Sequence, residues 1–272
     1  MTRLKTSDIV GIARSLEQYD KELREKTGCN LLEIAEDAAN TKKHMRTTLE
    51  KSAAAAVPIT SGQGVIEGFS EAVAAILNHI GLRTIITREA DEVGIAEAYE
   101  KGAKLIFIAD DRKFVAINTH SMRVVDNAIS TAKAYVAVLG RMTRGLTGKS
   151  VLVIGVGNIG TATISELLLR KAKPIAVDSD ESKLKNLKTE FGRNVVVLHS
   201  FADALRKTNL IINTAPARNI INANMIRENT LISTPAIPLC LTDAAVRKVG
   251  KNLVHDPLQL GVATMAVEAC AK

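Results

Sequence analysis

Residues 151–180 read VLVIGVGNIGTATISELLLRKAKPIAVDSD. Four apolar residues, Val151 to Ile154, predict a buried strand. Gly155, Gly157 and Gly160, spaced GxGxxG, turn the chain, and an apolar-periodic helix runs on through Leu169. A second strand, Pro174 to Val177, then ends in Asp178. A glycine triplet alone is a weak signal, because many strand-to-helix turns are rich in glycine. The strand before it, the helix after it and the acid at the end of the next strand give it meaning. Together they read as a cradle for a dinucleotide. One glycine allows the tight turn, one lets the backbone approach a pyrophosphate, and one lets the helix pack on the strand, while free N–H groups of the helix N-terminus face the phosphates. Gly155, Gly157, Asn158, Ile159 and Gly160 are the expected contacts on that side. Asp178 lies where a carboxylate accepts both ribose hydroxyls. Ser179 and Asp180 follow it, rather than an arginine that could hold a 2′-phosphate, so the expected cofactor is NAD and not NADP.

A chain of 272 residues is too long for one minimal domain and predicts two, each with its own core. An apolar fraction of 46% with 24% charged residues is that of an ordinary soluble globular protein. With no tryptophan and only 3% aromatics, the cores must be aliphatic, and base stacking by aromatic side chains is disfavoured. Cys29, Cys240 and Cys270 are odd in number and widely spaced, which fits neither a disulfide framework nor a zinc site and points to a reducing cytoplasm. The N-terminus is amphipathic and charged rather than a signal peptide, and no apolar run approaches membrane-spanning length. The net charge of +7 raises the question of a polyanionic partner. Residues 127–173 hold Lys133, Arg141, Arg144, Lys149, Arg170, Lys171 and Lys173 against the single acid Glu166. Several of these cations fall at predicted helix C-termini, where they complement the macrodipole, so neither nucleic acid nor membrane is expected as a partner.

Residues 1 to about 50 read as helices, with Ile9, Ile12, Ala13 and Leu16 on one face and Leu31, Leu32, Ile34 and Ala35 opening another. From Val57 the pattern alternates: strand 57–60, helix 65–80, strand 84–87, helix 95–100, strands 105–109 and 114–117, then a long helix 124–142. After Asp178 come helix 181–191, strand 195–198, helix 202–206, strands 210–213 and 231–233, helix 243–249, strand 253–254 and a final helix 261–270. The fold class is α/β: a C-terminal Rossmann domain with a doubly wound parallel sheet, and a smaller N-terminal substrate domain, helical plus α/β. The predicted division is 1–122 for the substrate domain, 123–147 for the connecting helix, 148–258 for the Rossmann domain and 259–272 for a helix packing back on the first domain.

In open α/β sheets ligands gather beyond the carboxyl ends of the strands. Pro58-Ile59-Thr60-Ser61-Gly62-Gln63-Gly64 follows the first strand and reads either as a capped helix start or as a seat for a charged substrate. Asp110 and Asp111 end a strand, as a plain turn or as substrate ligands. Asn213-Thr214-Ala215-Pro216 and Ser233-Thr234-Pro235 end later strands and would edge a nicotinamide ring. His255-Asp256 ends the last strand, and Asp256 is expected near the cleft between domains. None of the histidines lies in a metal-ligand spacing, so no metal is expected.

PITSGQG near residue 60, IADDR near 110, VIGVGNIG, NTAPA, STPAIP and the closing HDPLQLGVATM together resemble the pyrrolysine synthase family. The resemblance runs from about residue 57 to the end, and TSGxG, ADD and STPxIP in this order are its selective part. It implies a homodimeric, NAD-dependent dehydrogenase that completes pyrrolysine biosynthesis from an isopeptide of lysine and 3-methyl-D-ornithine. It further implies that Leu4 stands on a first helix closing over the substrate, that Ser61 contacts it with Gly62 and Asp111 beside it, and that Asp110 and Asp256 are the catalytic carboxylates. The family pattern has glutamate where this chain has Asp256, and one methylene less shortens the reach by about 1.5 Å. Two alternatives stay open: another NAD-linked dehydrogenase of an amino or hydroxy acid, and a non-catalytic NAD-sensing regulator, for which no basic recognition helix is found.

Overall fold

The structure is a computed structural model that describes residues 4–41 and 44–271. The chain forms two compact units. One gathers the described residues of 1–25, 29–134 and 257–272, and the other those of 26–28 and 135–256.

The first unit opens with helices α1 (Thr6–Ile9), α2 (Ile12–Thr27), α3 (Leu31–Ala38) and α4 (Arg46–Glu50). A reciprocal cap starts α3: the Glu33 N–H donates to Asn30 Oδ1 at 2.8 Å and the Asn30 N–H donates to Glu33 Oε2 at 2.7 Å. Strands β1 (Ala53–Val57), β2 (Arg83–Ile86), β3 (Leu105–Ala109), β4 (Phe114–Asn118) and β5 (Arg123–Asp126) form a sheet of order β2-β1-β3-β4-β5, with α5 (Phe69–His79) after β1 and α6 (Asp91–Glu100) after β2. The first three neighbours are parallel, whereas β4 and β5 run antiparallel.

Several element bounds differ from the sequence reading. The first strand is Ala53–Val57 rather than 57–60. Four alanines favour a helix by intrinsic propensity, but here they form a buried central strand whose small side chains allow α5 and α6 to pack closely. At Gly94 of α6 a Cβ would stand 2.7 Å from Val57 Cγ1, so that glycine is required by the close approach. Residues 65–68 precede α5 rather than belonging to it, because Gly68 takes φ +82°. The long helix starts at Asn127, since Arg123–Asp126 instead pairs with β4 as a hairpin strand.

Helix α7 (Asn127–Met142) carries the chain into the second unit. There β6 (Ser150–Ile154), α8 (Asn158–Leu169), β7 (Lys173–Val177), α9 (Glu181–Phe191), β8 (Val196–Val197), α10 (Phe201–Lys207), β9 (Leu210–Asn213), β10 (Leu231–Thr234), α11 (Asp243–Val249) and β11 (Leu253–His255) follow. Their sheet is parallel throughout, in the order β8-β7-β6-β9-β10-β11. This is the doubly wound Rossmann order, and its switch point lies between β6 and β9, where ligands bind in such sheets.

The last helix, α12 (Gln259–Cys270), lies in the first unit against α3, α5 and β4. Its C-terminal carbonyls are capped by side chains of the sheet. The Arg123 guanidinium donates to the Glu268 and Ala271 carbonyls at 2.9 and 2.6 Å, and the Asn118 amide donates to the Ala269 carbonyl at 2.8 Å.

Candidate functional site

The cradle of the second unit forms around the end of β6. Gly155 adopts φ +85°, and a Cβ there would stand 2.8 Å from the Ala215 nitrogen. At Gly160 a Cβ would overlap the Gly155 carbonyl and stand 2.8 Å from Thr214 Oγ1. Gly157 differs: it is exposed, and a Cβ there would meet nothing within 4 Å. The protein therefore has no steric need of its own for glycine at 157, as expected where the backbone must come close to a ligand. Gly157 is also the N-cap of α8, and no side chain caps that helix end, so its first-turn N–H groups, those of Asn158 and Ile159 included, are presented for an anion.

Asp178 stands at the end of β7, where its carboxylate accepts the Val156 N–H at 2.7 Å and the Asp180 N–H at 2.9 Å. It thus joins the glycine turn to the neighbouring strand. Ser179 is exposed beside it, and Asp180 caps α9 by accepting from the Ser182 N–H at 2.9 Å. Across the switch point, the Thr214 hydroxyl donates to the Gly155 carbonyl at 2.7 Å, while Ala215 is half-buried and Pro216 exposed. Thr234 is fully buried. Its hydroxyl donates to the Asn213 carbonyl at 2.9 Å and accepts from the Asn213 amide at 3.2 Å, so it ties the ends of β9 and β10 together, while Pro235 next to it is half-buried. These residues fit a nicotinamide dinucleotide: Gly157 would give it backbone access, the start of α8 would meet its phosphates, and Asp178 would meet its ribose.

Asp256 follows β11 and is 4% exposed. Its main chain is gripped by the Tyr135 phenol, which donates to the Asp256 carbonyl at 2.8 Å and accepts the Asp256 N–H at 3.1 Å. Burial, and next the nearby Asp256 charge, push the Tyr135 hydroxyl well above the usual tyrosine range, so it stays protonated as a donor. Sequence reasoning missed Tyr135. The signal was there, a lone aromatic among the small and aliphatic residues of the apolar stretch 134–139.

In the first unit the turn 60–63 is held from two sides. The Thr60 N–H donates to Asp91 Oδ1 at 2.8 Å and its hydroxyl donates to Asp91 Oδ2, while the Gln63 N–H donates to Asp111 Oδ2 at 2.7 Å. Gly62 takes φ +74°, and a Cβ there would overlap Asp111 Oδ2. Ser61, Gly62 and Asp111 are thus brought together, with Ser61 exposed. Asp110 is exposed and its Oδ1 accepts the N–H groups of Lys113 and Arg112, each at 2.7 Å. Those two bonds, that of Lys113 first, hold its carboxyl below the usual aspartate range. Leu4 is half-buried but lies ahead of α1, not on it, because the helix begins at Thr6 with Lys5 as its cap. Asp91 went unrecognised in the sequence because it sits 31 residues from Thr60. Among the described residues, no group of histidine, cysteine or acidic side chains is arranged to hold a metal ion, and no helix is long and apolar enough to cross a membrane.

The family described as the N-terminal domain of the pyrrolysine biosynthesis protein PylD matches residues 8–125, and the shikimate / quinate 5-dehydrogenase family matches residues 138–254. Over 265 residues the chain is 28% identical to the pyrrolysine synthase of Methanosarcina acetivorans, covering 97% of this chain and 98% of that one. The corresponding figure for the pyrrolysine synthase of Methanosarcina barkeri is 29%, covering 97% of both. The chain is similar to the pyrrolysine synthases over nearly its whole length. Its resemblance to them reaches into the N-terminal helices, beyond the stretch from residue 57 on which the motifs rest. Among solved structures, shikimate dehydrogenase of Aquifex aeolicus superposes with a TM-score of 0.55 at 17% identity, over 80% of this chain and 90% of that one. That likeness shows the fold, a dehydrogenase-type Rossmann sheet with an N-terminal α/β domain.

Proposed function

We propose that this chain is an NAD-dependent dehydrogenase that oxidises the terminal amine of the lysine-Nε-3-methyl-D-ornithine isopeptide, after which ammonia leaves and the ring of pyrrolysine closes. One observation carries this reading: near end-to-end similarity to pyrrolysine synthases in a chain whose glycine turn leaves open space at Gly157. When bound, NAD supplies the hydride acceptor. Asp178 and the start of α8 would hold it. The Asp178 carboxylate, with Asp180 two residues on and no cation between them, favours NAD by repelling a 2′-phosphate.

The amine carbon can release a hydride only when the amine is neutral, and an alkyl ammonium ordinarily titrates near 10.4. Asp110, held ionised by the Lys113 and Arg112 N–H groups, suits the role of counter-charge that seats the ammonium, because a carboxylate of lowered pKa is a weak proton acceptor. Asp256, the other carboxylate that the resemblance assigns to catalysis, would then take the proton. Ser61 and Gly62 orient the substrate from the turn that Asp111 supports. Oxidation converts the CH–NH2 carbon into an imine carbon. The ornithine α-amine attacks that carbon, ammonia departs, and the cyclic C=N bond remains. Because both amines belong to one bound molecule, proximity drives the closure and the side chains need only hold the conformer. A homodimer is part of the same proposal.

The test is incubation with NAD or NADP and a panel of amines, hydroxy acids and the isopeptide. NADH formation confined to the isopeptide, with pyrrolysine as the product by mass spectrometry, is the expected result. Turnover of a simple amino or hydroxy acid would replace this reading with a general dehydrogenase, and binding without any turnover would leave an NAD sensor.

A further inference from the structure

We propose that Asp91 is a positioning residue that fixes the turn Thr60–Gln63 and so determines where Ser61 meets the substrate; this rests on the reading of that turn as the substrate's seat. Asp91 opens α6, yet it does not cap that helix: the N-cap is Ala90 and no side chain bonds the helix end. Both of its carboxylate oxygens go instead to Thr60, one accepting the N–H at 2.8 Å and the other the hydroxyl. Its own N–H donates to the Pro58 carbonyl at 3.0 Å, so three bonds fasten residues 58–60 to a single residue. Asp91 takes φ +54°, a left-handed conformation that aspartate enters more readily than most residues, and here it aims the carboxylate back at Thr60.

The anchor itself is rigidly placed. Gly94, one turn along α6, packs against the Glu89 carbonyl and Val57 too closely to admit a Cβ. At the far end of the turn, Asp111 receives the Gln63 N–H at 2.7 Å and fills the space beside Gly62. Two carboxylates from separate connections of the sheet thus grip the turn before and after Ser61. The Ser61 side chain is left exposed. Such bracketing sets a side chain's position without touching the ligand, in the way supporting hydrogen bonds orient the residues that do.

The experiment compares Asp91→Ala and Thr60→Val with the conservative changes Asp91→Asn and Thr60→Ser. Steady-state kinetics with NAD and the isopeptide are read beside hydrogen exchange of the amides of residues 60–63. Losing the carboxylate bonds should raise KM for the isopeptide about tenfold, with a smaller change in kcat, and should speed exchange at the Thr60 amide by about as much. NAD affinity should not move, and Thr60→Ser should restore wild-type behaviour. Unchanged KM and unchanged exchange in Asp91→Ala overturn the positioning role. If the wild-type protein forms no NADH with the isopeptide, the functional reading fails instead, and the amide exchange at Thr60 still decides whether Asp91 holds the turn.

Discussion

At the residue scale, the three glycines of the cradle separate fold from binding. Gly155 and Gly160 face protein atoms that leave no room for a methyl group, whereas Gly157 faces open space at an ordinary φ of −73°. Gly155→Ala and Gly160→Ala should therefore each lower stability by about 1–3 kcal/mol or more, the usual cost of overpacking. Gly157→Ala, an N-cap change with no clash, should lower stability by less than either of those, by about 1 kcal/mol at most, yet bind NAD at least about tenfold more weakly, since a methyl would stand where the backbone must approach the ligand. Thermal unfolding paired with calorimetric titration distinguishes them, and full NAD affinity in Gly157→Ala would refute the cradle. Asp178→Ala should weaken NAD by about 1–3 kcal/mol, since it removes an acceptor for the ribose and releases the Val156 N–H. Asp110 supplies a prediction with pH. Its carboxyl is lowered by the Lys113 and Arg112 N–H bonds, so the 110–113 turn is stabilised above the ordinary aspartate pKa of about 3.9 and loses that support only as pH falls through the lower folded value. An NMR titration of the Asp110 carboxyl with a midpoint at or above the ordinary value would contradict this.

At the scale of elements, burial and strand pairing overrode local propensity. The run Ala53–Val57 has no β-branched residue until its end, so nothing in its composition marks a strand. It is one because a central position between β2 and β3, with α5 and α6 packed on it, has room only for small side chains. Arg123–Asp126 likewise follows the helical periodicity of what comes next, and pairing with β4 claims it as strand. By contrast, the bounds of α9 and α11 were legible to the residue, because their caps Asp180 and Thr242 and the glycines that end them, Gly192 and Gly250, are neighbours in sequence. Helix α12 carries its own marker at Gly261, where a Cβ would stand 2.6 Å from Thr131 Oγ1 and 2.9 Å from Asn127 Nδ2, both on the buried start of α7. Gly261→Ala should cost about 1–3 kcal/mol by overpacking, read as a lowered unfolding midpoint in denaturant. A midpoint that stays put would show that the Asn127 and Thr131 side chains can yield.

At the scale of the whole molecule, the first unit is built from both ends of the chain. Leu260, Val262, Met265 and Val267 of α12 are fully buried there. At about 1.5–3 kcal/mol for each such side chain, their removal is comparable with the 5–15 kcal/mol that ordinarily separates a folded domain from its unfolded chain. Deleting residues 257–272 should therefore abolish the cooperative unfolding transition of the first unit, as followed by hydrogen exchange of its strand amides, and persistence of native protection in β1 and β3 would contradict it. The sequence by itself determined the cradle, because strand, glycine turn, helix and closing acid lie within thirty consecutive residues and each acts on its near neighbours. Tertiary structure alone decided what supports the rest: Thr60 on Asp91, Gln63 on Asp111 and Tyr135 on Asp256 are separated by 31, 48 and 121 residues. Hydrogen bonds between such distant residues leave no periodicity or spacing to read, and they exist only once the sheets have brought their strand ends together.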